Sequence, residues 1–373
     1  MTLPVVVAGG GPAGAATATQ LAQAGVRVVL LERTTGGTHK ICGEFLSGEV
    51  LHYLARLGYD PEPLGGHRIT AVRLVRGDRC VEVALPFAAL GLSRAALDEA
   101  LLAHAAAAGA EVRRGQTIVS AEGTALRLAG GAEINAGALF LATGKHDLRG
   151  LRRGAAPKPD HLVGFKMHFA LAARQLRALS GRVELILFPD AYVGLQRVEG
   201  GVSNLCLLAR RGRLERAGGT WDGLLTDLCR DSAHLRTRLK GACPSFAQPL
   251  TIARVPYGFV HRLAPDDCAA VFRLGDQAAV IPSFSGDGMS IALHSASLAA
   301  RMFLAGQDAH AYHRGLRRDV AAQVRRAWLL QRLGGWGPGQ AAMMGAAAAW
   351  PGGVRLLAAI TRVPSRAMGR ALA

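Results

Sequence analysis

The sequence predicts an α/β fold with two sheets: a parallel sheet assembled from discontinuous segments, an antiparallel sheet inserted between them, and a helical C-terminus. Three observations predict it. The short apolar runs Val5 to Ala8 and Val26 to Leu31 flank a glycine-rich turn and an alanine-rich helix, the order of a βαβ unit. From about His161 the pattern becomes strands separated by turn residues, at Val163 to Leu171, Val183 to Phe188, Tyr192 to Val198 and Ser203 to Ala209, with no helix between the last three. From Ala309 the pattern is helical, broken at Gly334 to Pro338 and at Pro351 to Gly353.

The first unit carries a recognisable chemistry. Gly9-Gly10-Gly11-Pro12-Ala13-Gly14 supplies the three glycines of G-x-G-x-x-G directly after a strand and at the start of a helix. Gly9 permits the tight turn, Gly11 lets a pyrophosphate approach the backbone, and Gly14 lets helix and strand pack closely. Pro12 and Ala13 open the helix, whose N-terminus offers unpaired N–H groups and a positive dipole end to phosphates. Glu32, followed by Arg33, closes the second strand where a carboxylate can accept both hydroxyls of an adenosine ribose. This is the Rossmann arrangement, and the carboxylate selects FAD or NAD rather than NADP.

Composition sets outer bounds. The chain has 373 residues, half of them hydrophobic, which suits two or three structural units around a sizeable core. Its six cysteines lack C-x-x-C spacing, which argues against a zinc site and against a disulfide framework. With no signal peptide and no run of ~18 apolar residues, a cytoplasmic protein is expected. The net charge of +17 is concentrated toward the end: residues 301–373 hold eleven arginines, no lysine and two acids. Such a tail suits peripheral contact with anionic lipid, an anionic carrier, or the solvated face of ordinary helices. Nucleic acid is not expected, because alanine and leucine separate the arginines and no reader motif is present.

Taken in order, Thr34 to Ser47 forms a loop that would pass beside a bound dinucleotide, and Cys42-Gly43-Glu44 is its most specific part. Cys42 either fills a small buried space or lines the cofactor's reactive end. Glu49 to Leu57 is helical. Ile69 to Val75 and Cys80 to Leu85 form a hairpin through Gly77-Asp78 and belong to the second sheet. Ser93 caps a helix that stops at Gly109. Thr117 to Ala121, Ala125 to Leu128 and Glu133-Ile134 are short meander strands. Ala138 to Ala142 is a buried strand ending at Ala142-Thr143-Gly144, where Gly144 allows close backbone approach to a ligand. Leu214 to Leu239 reads as helix and Leu250 to Tyr257 as one more strand. A buried strand ends at Gly275-Asp276, and the run through Pro282 and Gly286-Asp287-Gly288-Met289 opens a second helix N-terminus.

These pieces together resemble FAD-dependent oxidoreductases of the glutathione-reductase-like fold, nearest to the aromatic hydroxylases and geranylgeranyl reductases. The resemblance spans roughly residues 1–305. It rests on GGGPAG and LLE at 9–14 and 30–32, SRAALD at 93–98, and GDQAAVIPSFSGDGMSIALHSA from 275. It implies FAD as cofactor, with Arg94 helping to hold it. Gly275, Asp276, Gly286, Gly288 and Met289 would wrap its ribityl chain and ring. It also implies a discontinuous FAD-binding domain at 1–66, 87–158 and 250–305, an antiparallel-sheet substrate domain at 67–86 and 159–249, and a C-terminal helical segment at 306–373. Hydroxylases that take hydride directly from NADPH carry an Asp-Gly motif after the strand at 138–142, and this chain lacks it. NAD(P)H would therefore reduce the flavin either directly or through a partner flavin reductase. The Tyr-x-Trp-x-x-Pro stretch of the geranylgeranyl reductases retains only Tyr192, and the halogenases' Trp-rich motif is missing.

The expected activity is monooxygenation of an aromatic or polyketide-like molecule through a flavin hydroperoxide. The alternative is reduction of a carbon–carbon double bond on a lipid-like or carrier-bound substrate. Halogenation and a non-catalytic FAD-binding role rank below both. The candidate catalytic residues are Lys166, His168, Tyr192, Pro282 and Cys42. Lys166 and His168 lie two apart and so share one strand face, directed either at the flavin, where they could deprotonate a phenol, or at solvent. No resident metal is expected.

Overall fold

The computed structural model describes residues 3–154, 161–350, 352–353 and 361–372. The proposed boundary near 158 and the helix break at Pro351 lie outside these residues.

The parallel sheet has five strands in the order Val271–Arg273 (β17), Ala138–Leu141 (β10), Val5–Ala8 (β1), Val28–Glu32 (β2) and Glu111–Arg114 (β6). The strands β1, β2, β10 and β17 are buried throughout, which is why, apart from the terminal Glu32 and Arg273, they are apolar at successive positions rather than alternating. One face packs against helices Pro12–Gln23 (α1), Gly48–Arg56 (α2), Arg94–Ala107 (α3) and Gly288–Leu304 (α8), burying Val5, Val7, Leu30 and Phe140 among Ala15, Leu21, Leu97 and Leu298. The other face is covered by the meander Ile118–Glu122 (β7), Ala125–Leu128 (β8) and Glu133–Asn135 (β9) through Ala121, Leu126 and Leu128.

The second sheet has nine strands: Phe45–Leu46 (β3), His67–Arg76 (β4), Arg79–Gly91 (β5), Leu162–Ala170 (β11), Gly181–Phe188 (β12), Ala191–Arg197 (β13), Ser203–Arg210 (β14), Cys243–Pro244 (β15) and Leu250–Ala253 (β16). Their order is β15-β11-β14-β13-β12-β4-β5-β3, with β16 also beside β11. All pairs are antiparallel except β4 with β12, which run parallel from Ile69 opposite Gly181 to Val75 opposite Ile186.

Several expectations need correction. The strand β5 runs on to Gly91, past the expected boundary at 86. Residues 250–253 pair with β11, so they belong to the second sheet rather than to the FAD-binding region. That strand stops at Ala253 instead of Tyr257, because Arg254 takes a left-handed φ of 57°. The helix expected over 214–239 is three helices, Arg211–Arg216 (α5), Trp221–Asp231 (α6) and Ala233–Leu239 (α7). Gly218 and Gly219 at positive φ end the first, and the Thr220 and Ser232 side chains cap the next two. With Ala173–Ala178 (α4), these helices cover one face of the sheet. The opposite face looks toward the parallel-sheet unit. At the C-terminus, Ala309–Gly334 (α9) packs on β17 through the Tyr312 hydroxyl, which donates to the Arg273 carbonyl at 2.8 Å. Gly337–Ala349 (α10) lays Met344 and Ala347 on the β4–β12 region, and helix Ser365–Leu372 returns to α8. No helix among the described residues is long and apolar enough to cross a membrane.

Candidate functional site

The glycine-rich turn is built as its spacing requires. Gly9 has φ 109°, and a Cβ there would meet the Ala142 carbonyl oxygen at 2.5 Å. A Cβ on Gly14 would sit 1.9 Å from the Gly9 carbonyl oxygen, so α1 and β1 approach too closely for any side chain. Gly11 is the N-cap of α1 and makes no side-chain cap, which leaves the first-turn N–H groups free for a phosphate. The Arg94 guanidinium lies 3.3 Å from where a Gly11 Cβ would be and is held by Asp98 through two 2.7 Å bonds. Arg94 thus lies at the mouth of the turn.

Glu32 is more tied down than expected. Its Oε2 accepts from Gly10 N at 2.7 Å, and its Oε1 accepts from the N–H and hydroxyl of Thr34 at 2.9 and 2.8 Å. Burial alone would raise its pKa, but these hydrogen bonds outweigh burial and keep the carboxylate ionised. Arg33 reaches His146 Nε2 at 3.0 Å. Gln277 donates to the carbonyls of Gly144 and His146 at 2.7 and 2.8 Å, which joins the end of β10 to the Gly275–Gln277 turn. Asp276, expected to meet a ribityl hydroxyl, pairs here with Lys145 at 3.1 Å. Nothing in the sequence patterning assigned that role to Lys145.

Lys166 and His168 are fully buried, so the solvent-facing alternative is wrong. Opposite them in register stand Cys206 and Asn204, and Asn204 faces Gln196 on its other side. Alternation thus puts Lys166, His168, Asn204 and Gln196 on one face, and all four hold the loop that carries Cys42 and Gly43. Asn204 donates to the carbonyls of Cys42 and Gly43 at 3.0 and 2.9 Å, and Gln196 donates to the Glu44 carbonyl at 2.6 Å. The Glu44 side chain is the centre. Lys166 Nζ pairs with its Oε1, His168 Nε2 with its Oε2 at 2.7 Å, and Arg94 N donates to Oε1 at 2.8 Å. Burial raises the Glu44 pKa, yet His168 and Lys166 together bring it below the usual carboxylate range. His39 stacks edge-on against His168 at 4.8 Å, so two imidazoles and a carboxylate meet here. Lys166 already supplies the cation that neutralises Glu44, and a divalent ion would add uncompensated positive charge to a buried site.

A further polar group stands on the same sheet. Tyr192 OH is 2.5 Å from Ser283 Oγ, and Tyr257 OH is 3.2 Å from the same atom, directly after Pro282. Beside it lies a packed apolar cluster of Val72, Leu74, Val83, Leu185, Leu187 and Phe284, covered by Met344 of α10. Ser283 and Tyr257 are members that sequence reasoning missed.

At the start of α8, Gly288 has open space above it, with no atom within 4 Å of a Cβ position, while the Met289 side chain is buried. Gly286 takes φ 73°. Asp287 between them is completely buried, and neither carboxylate oxygen has a hydrogen bond among the described residues. Burial pushes its pKa up to about 8, although Arg362 lies 3.5 Å away. That arginine comes from the terminal segment, pairs with Glu49 and lies over the Phe87 ring at 4.0 Å. In the unfolded chain an aspartate ionises near ~3.9. Between about pH 4 and 8 the native state therefore binds the extra proton, and this group's contribution to stability falls as pH rises. Asp287→Asn should raise the melting temperature at pH 8.5 and leave it little changed at pH 4. Thermal melts at the two pH values check this.

A glycine cradle closed to side chains, free helix N–H groups and an arginine at the mouth together fit a dinucleotide pyrophosphate. Residues 2–129 match the family model described as an FAD binding domain, which supports FAD as that dinucleotide. Among solved structures, the chain is similar to a flavoprotein/dehydrogenase from Cytophaga hutchinsonii, with a TM-score of 0.74 and 17% identity over 89% of this chain and 88% of that one. It is also similar to the flavin-dependent brominase Bmp2, with a TM-score of 0.76 and 17% identity over 96% and 93% of the two chains. A myxobacterial chondrochloren halogenase gives a TM-score of 0.71 and 22% identity over 88% and 80%. At these identities the likeness is one of fold: a parallel-sheet FAD-binding unit, an antiparallel sheet and a helical C-terminus.

Proposed function

We propose that the chain is an FAD-dependent monooxygenase that hydroxylates an aromatic or polyketide-like small molecule. The observation that carries this reading is the hydroxyl cluster of Tyr192, Ser283 and Tyr257 set into an apolar wall beside Pro282. Orienting a phenol needs few polar groups in a pocket that excludes water. When bound, FAD supplies the electrons that activate oxygen. The protein's part is placement. The turn at 9–14 and Arg94 hold the pyrophosphate, and Lys166, His168, Asn204 and Gln196 fix the loop that carries Cys42. Burial raises the Tyr192 pKa well above its ordinary value, so the phenol stays protonated and donates to a substrate oxygen. Reducing equivalents come from NAD(P)H, directly or through a partner reductase.

Incubation under ¹⁸O₂ with candidate phenols tests the reading. One labelled oxygen atom in the product supports it. Product gaining two hydrogens without oxygen points instead to the double-bond reductase, and product gaining bromine when bromide is added points to halogenation. The fold likeness to a dehydrogenase and a brominase is why both belong in the same assay. Tyr192→Phe removes one orienting hydrogen bond, worth ~1 kcal/mol. It should lower product formed per NAD(P)H roughly fivefold, with FAD content unchanged.

A further inference from the structure

A second concavity lies away from the glycine cradle, at the β17 edge of the parallel sheet. Its volume is about 400 Å³, and it is lined by His261, Arg262, Leu263, His313, Arg314 and Arg317. Three guanidinium groups and two imidazoles therefore share one hollow, and none of the lining residues is acidic. Arg262 and Arg314 are exposed, and no carboxylate among the described residues pairs with Arg262, Arg314 or Arg317. Among the described residues, the Arg317 guanidinium donates to the Val260 carbonyl at 3.5 Å.

The floor of the hollow is rigid and polar. His261 and His313 are 6% and 5% exposed, and their rings meet at 4.5 Å. His261 is fixed from behind by its own N–H, which donates to the Ala278 carbonyl at 2.7 Å. Nδ1 of each ring is buried and makes no hydrogen bond among the described residues. Asp267 Oδ2, 3.3 Å from His261 Nε2, is the one carboxylate paired with either ring among the described residues. Burial, reinforced by Arg273 and by the rings' mutual effect, keeps both imidazoles neutral near pH 7. Each neutral ring retains one N–H to donate.

Unpaired guanidinium groups around a hollow repel one another until an anion enters, and buried polar atoms left without partners call for a ligand. The arginine fork matches the oxygens of a phosphate, and the hollow is large enough for one phosphate and part of what it is attached to. We propose that this hollow binds the phosphate group of a small organic phosphate, supplied by a nucleotide or by a phosphopantetheine arm. It abuts the 275–289 segment from behind, since Val260 bridges to Ala279.

The test uses the FAD-loaded protein, freed of unbound FAD, at fixed ionic strength. Calorimetric titrations are run with inorganic pyrophosphate, 2′,5′-ADP and 4′-phosphopantetheine. The expected result is saturable one-site binding, with the tighter organic ester identifying the source. Arg262→Glu/Arg314→Glu should weaken it at least tenfold. The charge-matched pair Arg174→Glu/Arg177→Glu, on the exposed side of α4, should leave it unchanged. Both pairs are on the surface, and an unaltered flavin absorbance spectrum confirms that each variant folds. Absence of saturable binding by all three probes overturns the proposal. Equal weakening by the control pair does too, because it would assign the affinity to the overall positive field.

Discussion

Glu44→Gln is expected to be among the most damaging single changes in the molecule. It leaves the Lys166 ammonium fully buried with no counter-charge and turns one of the two oxygens that meet His168 and the Arg94 N–H into an amide NH2. Breaking a buried pair from one side costs about 3–5 kcal/mol, because the remaining charge is stranded. A fall in melting temperature on the order of 5 °C or more should follow. FAD retention should fall with it, since the same carboxylate holds the loop beside the cradle. Glu44→Gln/Lys166→Met removes both charges and should recover much of the lost stability. Thermal melts of the two variants decide the matter. If the double variant is no more stable than the single one, the damage lies in the loop's hydrogen bonds and not in a stranded charge.

The other large effect is expected at Gly14. A methyl group there would lie 1.9 Å from a backbone oxygen, which no side-chain adjustment relieves, so α1 must move off β1. The pyrophosphate would lose its helix N-terminus along with the close turn. Gly14→Ala should weaken FAD by a hundredfold or more, roughly 3 kcal/mol at 1.4 kcal/mol per tenfold. Purified protein should be largely colourless. Gly36→Ala is the control: no atom lies within 4 Å of its Cβ position. Flavin stoichiometry and a fluorescence titration of apoprotein with FAD measure both. A Gly14→Ala protein that retains full FAD would mean that the turn does not carry the cofactor.

The fold was legible where one physical requirement acts over a short stretch. Burial on both faces made β1, β2 and β10 continuous apolar runs, and close packing required glycine at 9 and 14. Alternation likewise put Lys166 and His168 on one face. Their partner was not legible, because Glu44 is more than a hundred residues earlier and takes a left-handed φ of 59° that glutamate does not advertise. It is, though, the sole acid between Arg33 and Ser47, a signal that could have singled it out. Lys145 was hidden for the same reason: its meaning depends on Asp276, in the turn after a strand that joins the sheet much later in the chain. Arg254 ended a strand that its neighbours' β character would have continued to Tyr257, and so obscured that Tyr257 meets Ser283.

The parallel pairing of β4 with β12 has a consequence for how the protein is made. A ribosome that has delivered the first hundred residues has released β4 and β5 but not the neighbour that covers β4. The other sheet stays open along β10 until β17 emerges at residue 271. Nascent chains of intermediate length therefore display two unpaired strand borders at once, the condition under which partly made proteins associate. The two sheets cannot be produced as separate pieces by one cut in the gene. Efficient production should depend on slow delivery or on chaperones that shield both borders until synthesis passes β17.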